Sequence, residues 1–227
     1  MKIEQNQIGN LLRRIHNNTK NSAVMYRHIA ITGPSGSGKS SLIWKHENSI
    51  MRVTKEVFDF SVSGTNRLPR KNEIHGKDYF FFPSEESFLS ERFIEDNHYE
   101  GNKRLYGTLV SEVERIAVHQ GRRICFDVDI NGGFSLKRIF KRDLIFVFLD
   151  VPIPTLRLRL TKRREETGET DEQIEKRIIA AEAEKLRVAR GEISPDLILP
   201  YDNDVTPGEA VNQILFCAGF GLGPPIK

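Results

Sequence analysis

The sequence predicts an α/β fold, a five-stranded parallel sheet flanked by helices around a phosphate-loop core, with two inserted subdomains. Three observations lead there. Five short apolar runs are separated by stretches of helical periodicity, and strands alternating with helices make a parallel sheet covered on both faces. The first run leads directly into a glycine-rich turn and then a helix, a setting in which backbone amides hold phosphate. Two segments, 64–107 and 156–177, break the alternation and read as insertions.

A chain of 227 residues accommodates one such domain with its insertions. Its 38% hydrophobic residues supply a substantial core, and 29% charged residues are ordinary for a soluble protein. A net charge of +3 lacks the concentrated basic face of a dedicated nucleic-acid binder. Cys125 and Cys217 lie far apart in apolar contexts and read as reduced core thiols of a cytosol-like, cytoplasmic compartment. The six His show no metal-type pairing. No apolar run approaches the roughly 20 residues of a spanning helix, and no secretory signal is visible. Neither nucleic acid nor membrane is therefore expected as a partner.

Residues 1–27 form an N-terminal extension in which Ile8, Leu11, Leu12 and Ile15 fall at helical spacing beside Arg13, Arg14 and Lys20. A docking helix is expected; Glu4 and the many Asn speak against a mitochondrial presequence. Met25 offers an alternative start directly before the core. The strand "HIAIT" follows from His28, and then "VFDFSVS" (57–63), "RRICFDVD" (122–129), "DLIFVFLD" (143–150) and "DLILP" (196–200) read as buried parallel strands. Between them "TLVSEVERIAVHQG" (108–121) reads as a helix ending on Gly121. The stretch 170–191 reads as another, with Thr170 and Gln173 spaced as a capping box.

Gly33-Pro34-Ser35-Gly36-Ser37-Gly38-Lys39-Ser40 matches the phosphate-loop pattern, with Ser41 following. Glycines let backbone N–H groups turn inward around phosphate oxygens, and the next helix adds the positive end of its dipole. Lys39 supplies a point charge for the β- and γ-phosphates, and the Ser40 hydroxyl suits Mg²⁺. The Asn-Lys-x-Asp base-recognition motif of a GTPase is absent, and a motor ATPase calls for a longer chain. Downstream, Ser63, Arg67 and Arg70 follow a strand end and Tyr79 comes after a Gly-Lys-Asp turn. Two Arg bracketing a Pro suit bidentate capture of a second phosphate, with Ser and Tyr hydroxyls completing the shell. Asp127 and Asp129 end an apolar strand, where acids hold Mg²⁺, accept from a substrate or cap the next turn.

The run Phe-Ser-Val-Ser-x-Thr-x-Arg-x-Pro-Arg, then Glu-Ile-x-Gly-Lys-Asp-Tyr, resembles the guanylate kinase family. So do "FIE" (93–95), "GNKRLYGT" (101–108), "FDVDINGG" (126–133) and "RLTKRR…EKR" (159–177). The resemblance runs from about His28 to about Leu215. It implies a P-loop NTPase-type core (28–59, 108–155, 185–227), a GMP-binding insertion (60–107) and a lid (156–184). It further implies that ATP sits on Gly33 to Ser41, and that Ser63, Arg67, Arg70, Tyr79 and Tyr106 hold the GMP phosphate. Glu95 and Thr108 then read guanine, Asp127 and Asp129 line the acceptor site, and Ser40 with Asp127 holds Mg²⁺, directly or through water. Lys39 and the lid residues Arg159, Arg163 and Arg177 are the catalytic cations. The chemistry agrees: a carboxylate accepts both donors of guanine's N1–H and 2-amino edge, which adenine lacks, and the Thr108 hydroxyl is a donor for O6.

The chain also departs from the family. Asn66 stands for a Thr, the segment from Tyr79 to Glu95 is short, and the approach to Tyr106 is long. Arg164 replaces a Gly in a lengthened lid, and Pro200-Tyr201 occupies the donor-base region, where Tyr201 offers a ring for stacking. Arg157 and Arg164 read as members of a salt-bridged helix face. The expected reaction is ATP plus GMP (or dGMP) to ADP plus GDP, by a monomer or homodimer. A non-catalytic binding module is the alternative, opposed by Lys39-Ser40 and the lid arginines. A kinase of another phosphorylated small molecule is opposed by Glu95 and Thr108.

Overall fold

The computed structural model describes residues 4–19, 27–99 and 104–220; Lys20, Met25 and the start of "GNKRLYGT" lie outside them. In chain order the strands are β1 (His28–Thr32), β2 (Phe58–Ser61), β3 (Gly64–Thr65), β4 (Phe80–Phe81), β5 (Phe93–Tyr99), β6 (Arg104–Leu109), β7 (Arg123–Asp127), β8 (Leu144–Asp150) and β9 (Leu197–Pro200). The helices are α1 (Gln5–Thr19), α2 (Ile50–Thr54), α3 (Glu85–Leu89), α4 (Val110–Val113), α5 (Ile130–Phe140), α6 (Ile153–Thr167), α7 (Asp171–Ala189) and α8 (Pro207–Cys217). All five apolar runs form the expected sheet, ordered β2-β7-β1-β8-β9 and parallel throughout.

The sheet is buried on both faces, which explains the unbroken apolar character of its strands. Side chains alternate across it. Ile29, Ile31, Ile145, Val147 and Leu149 join one core with Leu156 and Leu160 of α6 and Ile174 and Ile178 of α7. Ala30, Phe126, Phe146 and Phe148 join the opposite core with α4, α5 and α1. Cys125 is buried within the first core and Cys217 partly buried; both are free thiols.

The segment from Gly64 to Leu109 builds its own sheet, ordered β4-β3-β6-β5, over a small aromatic core in which Phe88 stacks on Phe93 at 4.2 Å. Gly107 makes that packing feasible: a Cβ there would lie 2.6 Å from the Phe93 ring and 2.9 Å from the Glu95 carbonyl oxygen.

One expected boundary moves. Thr108 and Leu109, expected to open a helix, belong to β6 because Thr108 pairs with Glu95 of β5. The helix starts at Val110, continues as a π-helical segment over Glu114–His119, and the chain passes Gly121 at φ +67°. The expected lid edges at 155/156 and 184/185 fall inside α6 and α7, two continuous helices whose inner residues are core. Between them stand Gly168, a left-handed C-cap, and Thr170, whose capping box with Gln173 forms as its spacing predicts.

Helix α1 docks through Leu11 and Ile15, each only 4% exposed, with Arg14 donating to Glu114 at 2.5 Å. Leu11→Ala is expected to cost about 2–4 kcal/mol, read as a lowered denaturation midpoint. Turnover of the folded fraction should stay unchanged, since the buried core cluster that holds Leu11 includes none of the candidate site residues.

Candidate active site

The loop after β1 leaves the carboxyl edge of the parallel sheet, where ligands of open α/β sheets bind. Gly33, Gly36 and Gly38 adopt φ of +140°, +86° and +96°, conformations that L side chains rarely take. A Cβ on Gly36 would also press on Leu160 of α6 at 3.2 Å. Lys39 folds back so that Nζ donates to the Gly33 carbonyl at 2.8 Å and weakly to that of Pro34 at 3.5 Å. None of the ion pairs among the described residues engages Lys39 with a carboxylate. The Ser37 hydroxyl is buried without a hydrogen-bond partner, and the Ser40 side chain makes no capping bond.

The α6–α7 hairpin reaches this loop. Arg159 Nη1 donates to the Ser37 carbonyl at 3.2 Å and Nη2 to that of Asp202 at 3.4 Å, and Arg177 Nη1 donates to the Ser35 hydroxyl at 2.8 Å. Arg163 and Arg177 both pair with Glu169. Arg157 pairs with Glu175 and Arg164 with Asp171 on the outer surface. Tyr201 differs from its expected part as a stacking surface for a base. It is buried, its ring edge lies 3.1 Å from where a Cβ on Gly38 would be, and Arg159 sits over its ring at 5.4 Å. Tyr201 thus fills the floor beneath the loop and supports Arg159.

On the opposite side, Arg67 is buried and held bidentately by Glu73 at 2.6 and 2.7 Å, with its guanidinium over the rings of Tyr79 (4.8 Å) and Phe81 (5.4 Å). The Arg70 backbone N–H donates to Glu73 at 2.8 Å, and its exposed guanidinium reaches the same carboxylate at 3.4 Å. Burial raises the Glu73 pKa, but the Arg67 hydrogen bond and the Arg70 contacts outweigh it and hold the carboxyl below its ordinary value. Tyr106 meets Tyr79 edge-on at 5.9 Å between ring centres. Ser63 is buried at the end of the preceding turn. Asn66 accepts from the Leu105 N–H at 2.8 Å, so it holds the turn beside Arg67 against β6.

Glu95 is 5% exposed and accepts two hydrogen bonds on one oxygen, from the Thr108 N–H at 3.0 Å and the Thr108 hydroxyl at 2.6 Å. The Thr108 hydroxyl thus spends its single proton on Glu95 here, so Thr108 orients the carboxylate. Burial above all, then Asp129 and Asp96, pushes Glu95 up to about 7 against the pull of Thr108. Gly132 leaves room for the other oxygen, 3.0 Å from where a Cβ would stand. Asp129 caps α5 by accepting from the Gly132 N–H at 2.8 Å and also accepts from Asn97. Burial pushes the Asp127 carboxyl up and Lys39 pulls it back, while burial first and the Asp127 charge next raise Tyr79. Asp127 therefore lies electrostatically between Lys39 of the loop and the Tyr79–Arg67 cluster.

Four site residues escaped the sequence reading. Glu73, three residues beyond Arg70, had a detectable spacing. Asn97 lies two residues along β5 from Glu95, on the same face. Glu184 stands two helical turns beyond Arg177; burial raises its carboxyl to about 7, with Lys39 opposing. Glu169 had only its place between two cap residues.

The family model described as guanylate kinase matches residues 25–199, stopping short of Leu215 and just before Pro200-Tyr201. The guanylate kinase of Sus scrofa is 38% identical over 162 residues, covering 70% of this chain and 76% of the relative. That of Homo sapiens is 37% identical over 162 residues, covering 70% and 77%. The crystal structure of guanylate kinase from Anaplasma phagocytophilum shares the fold with a TM-score of 0.59 at 22% identity, over 86% of this chain and 85% of that one.

Proposed function

This chain belongs to the guanylate kinase family, and on that premise we propose how its residues divide the transfer of the ATP γ-phosphate to GMP. The protein is an ATP:GMP phosphotransferase. The triphosphate lies on Gly33 to Ser41, with Lys39 exchanging its loop carbonyls for the β- and γ-phosphates. The GMP phosphate lies against Arg67, Arg70, Tyr79, Tyr106 and Ser63, and Glu95, oriented by Thr108, takes the guanine edge. Residues 60–107 act as the acceptor-binding insertion and the α6–α7 hairpin as the lid, hinged on a core that includes parts of both helices.

The observation that carries this reading is the buried Glu95 carboxylate. It has one oxygen tied by Thr108 and the other beside the space that Gly132 leaves open. A buried acid of this kind is costly unless a ligand supplies donors to it.

The GMP phosphate oxygen is already ionised at neutral pH, so no strong general base is required. Positioning and charge carry the reaction. Arg159, Arg163 and Arg177 close over the reacting oxygens and exclude water, which would otherwise hydrolyse ATP. The Ser40 hydroxyl and the Asp127 carboxylate are hard oxygen donors that fit Mg²⁺. The described residues contain no cluster of three His, Cys, Asp or Glu for a resident metal, which suits an ion arriving with the nucleotide and keeping several waters. Held there, Mg²⁺ would supply charge neutralisation to the nucleotide phosphates. Asp129 holds Asn97 and the α5 cap next to Glu95, shaping the acceptor side. No described helix is long and apolar enough to cross a membrane, and we place the enzyme in the cytoplasm with its substrates.

An ADP-release assay with Mg-ATP and GMP, dGMP, AMP, CMP or UMP tests the reading. Turnover confined to GMP and dGMP is expected. Comparable turnover of AMP, or GMP binding without turnover, overturns the assignment.

A further inference from the structure

Glu169 is the middle residue of the turn that joins α6 to α7, fixed on one side by Gly168, the left-handed cap of α6, and on the other by Thr170, the N-cap of α7. Its carboxylate is 12% exposed. One oxygen takes Nη2 of Arg177, and the other takes Nη2 of Arg163 at 3.3 Å and the Thr167 hydroxyl at 3.3 Å. Burial raises the Glu169 pKa, but Arg177 and then Arg163 outweigh it, so the group stays ionised well below neutral pH.

The nitrogens that Glu169 does not use are informative. Arg177 keeps Nη1 on the Ser35 hydroxyl of the phosphate loop. Arg163 keeps Nε buried without a partner, an uncommon state for a charged donor. A carboxylate so near a phosphate site repels the ligand, so its presence calls for a compensating gain. That gain is geometric: two guanidiniums repel each other, and each alone swings through many rotamers. A shared anion holds both in one orientation, with the remaining N–H groups free for phosphate oxygens.

We propose that Glu169 is a positioning residue for phosphoryl transfer, clamping Arg163 and Arg177 into a single cationic fork aimed at the transferring phosphate. The inference rests on the lid role assigned above, and it deepens it by explaining how two flexible arginines arrive pre-organised. Charge that develops in the transition state gains most from donors that need no reorganisation. Loss of the clamp therefore lowers kcat and leaves ground-state binding of ATP and GMP nearly unchanged.

The test compares Glu169→Gln, Glu169→Asp, Arg177→Ala, the Arg163→Ala/Arg177→Ala pair, and that pair combined with Glu169→Gln, with steady-state kinetics and thermal melts for each. Glu169→Gln should lower kcat about tenfold or more with both KM values within about twofold. Glu169→Asp, which keeps the charge one methylene back, should recover part of that loss. In the background lacking both arginines, Glu169→Gln should cause no further loss, because nothing remains to be positioned. Equal fold-losses in both backgrounds would mark a purely structural turn residue and overturn the proposal, as would an unchanged kcat in Glu169→Gln. An unchanged kcat in Arg177→Ala would instead remove the lid assignment itself, and this inference with it.

Discussion

Lys39→Ala is expected to lower kcat about a thousandfold, roughly 4 kcal/mol of transition-state stabilisation, in a protein that still folds. The small structural cost follows from the geometry. Nζ bonds only two loop carbonyls, at 2.8 and 3.5 Å, so its removal costs about 1 kcal/mol. The functional cost is large because no other described cation is seated within the loop: Arg159 and Arg177 reach it from the α6–α7 hairpin, through the Ser37 carbonyl and the Ser35 hydroxyl. A second consequence follows from Asp127. Burial raises that carboxyl and the Lys39 ammonium opposes it. Without Lys39 the group protonates at higher pH than in the parent, so the anionic oxygen donor weakens as the cation is lost. The residual activity of Lys39→Ala should therefore rise with pH more steeply than that of the parent enzyme. Measuring kcat from pH 6 to 9 for both proteins checks this, and a variant within about fivefold of the parent at neutral pH would remove Lys39 from the mechanism.

The elements legible in the sequence were those whose physics is local. The five core strands could be read because burial on both faces makes them continuously apolar. The phosphate loop could be read because positive φ at three positions demands glycine. The α7 cap could be read because Thr170 and Gln173 must stand three residues apart. The features that were missed depend on which distant groups meet. Nothing around Thr108 reveals that its hydroxyl proton is taken by a residue 13 positions earlier on the neighbouring strand. Tyr201 is an aromatic in a donor-side loop until β9 places its ring under Gly38. Glu169 and Glu73 look like ordinary surface acids, and only the fold shows each carboxylate holding two arginines. Cations were found from sequence more readily than the acids that aim them, because an Arg cluster suggests an anion whereas a single Glu suggests only solvent.

Glu95→Gln should separate recognition from stability in opposite directions. In the free protein the Glu95 carboxyl is raised to about 7 by burial first and by Asp129 and Asp96 next. Below its unfolded value near 4.5 the group is protonated in both states. Between there and about 7 the folded state retains a proton that the unfolded chain has released, so this group's contribution to stability falls as pH rises and is lost above 7. The loss is on the order of 3 kcal/mol. A neutral amide avoids that penalty, so Glu95→Gln should melt higher than the parent at pH 8 and close to it at pH 5. Guanine binding runs the other way. The N1–H and 2-amino donors require the ionised form, so GMP affinity should rise with pH up to about 7 and GMP binding should release a proton below it. The GMP phosphate itself ionises near pH 6 and contributes to both profiles. The part that vanishes in Glu95→Gln is the part that belongs to the carboxylate. With an amide donor facing two base donors, kcat/KM for GMP should fall about a thousandfold or more, while the low activity toward AMP stays put. Calorimetry in buffers of different ionisation enthalpy reads the proton release, and the paired melts read the stability. A Glu95→Gln enzyme that still prefers GMP to AMP by a large factor would move base recognition to other residues, and with it the reason for burying a carboxylate there.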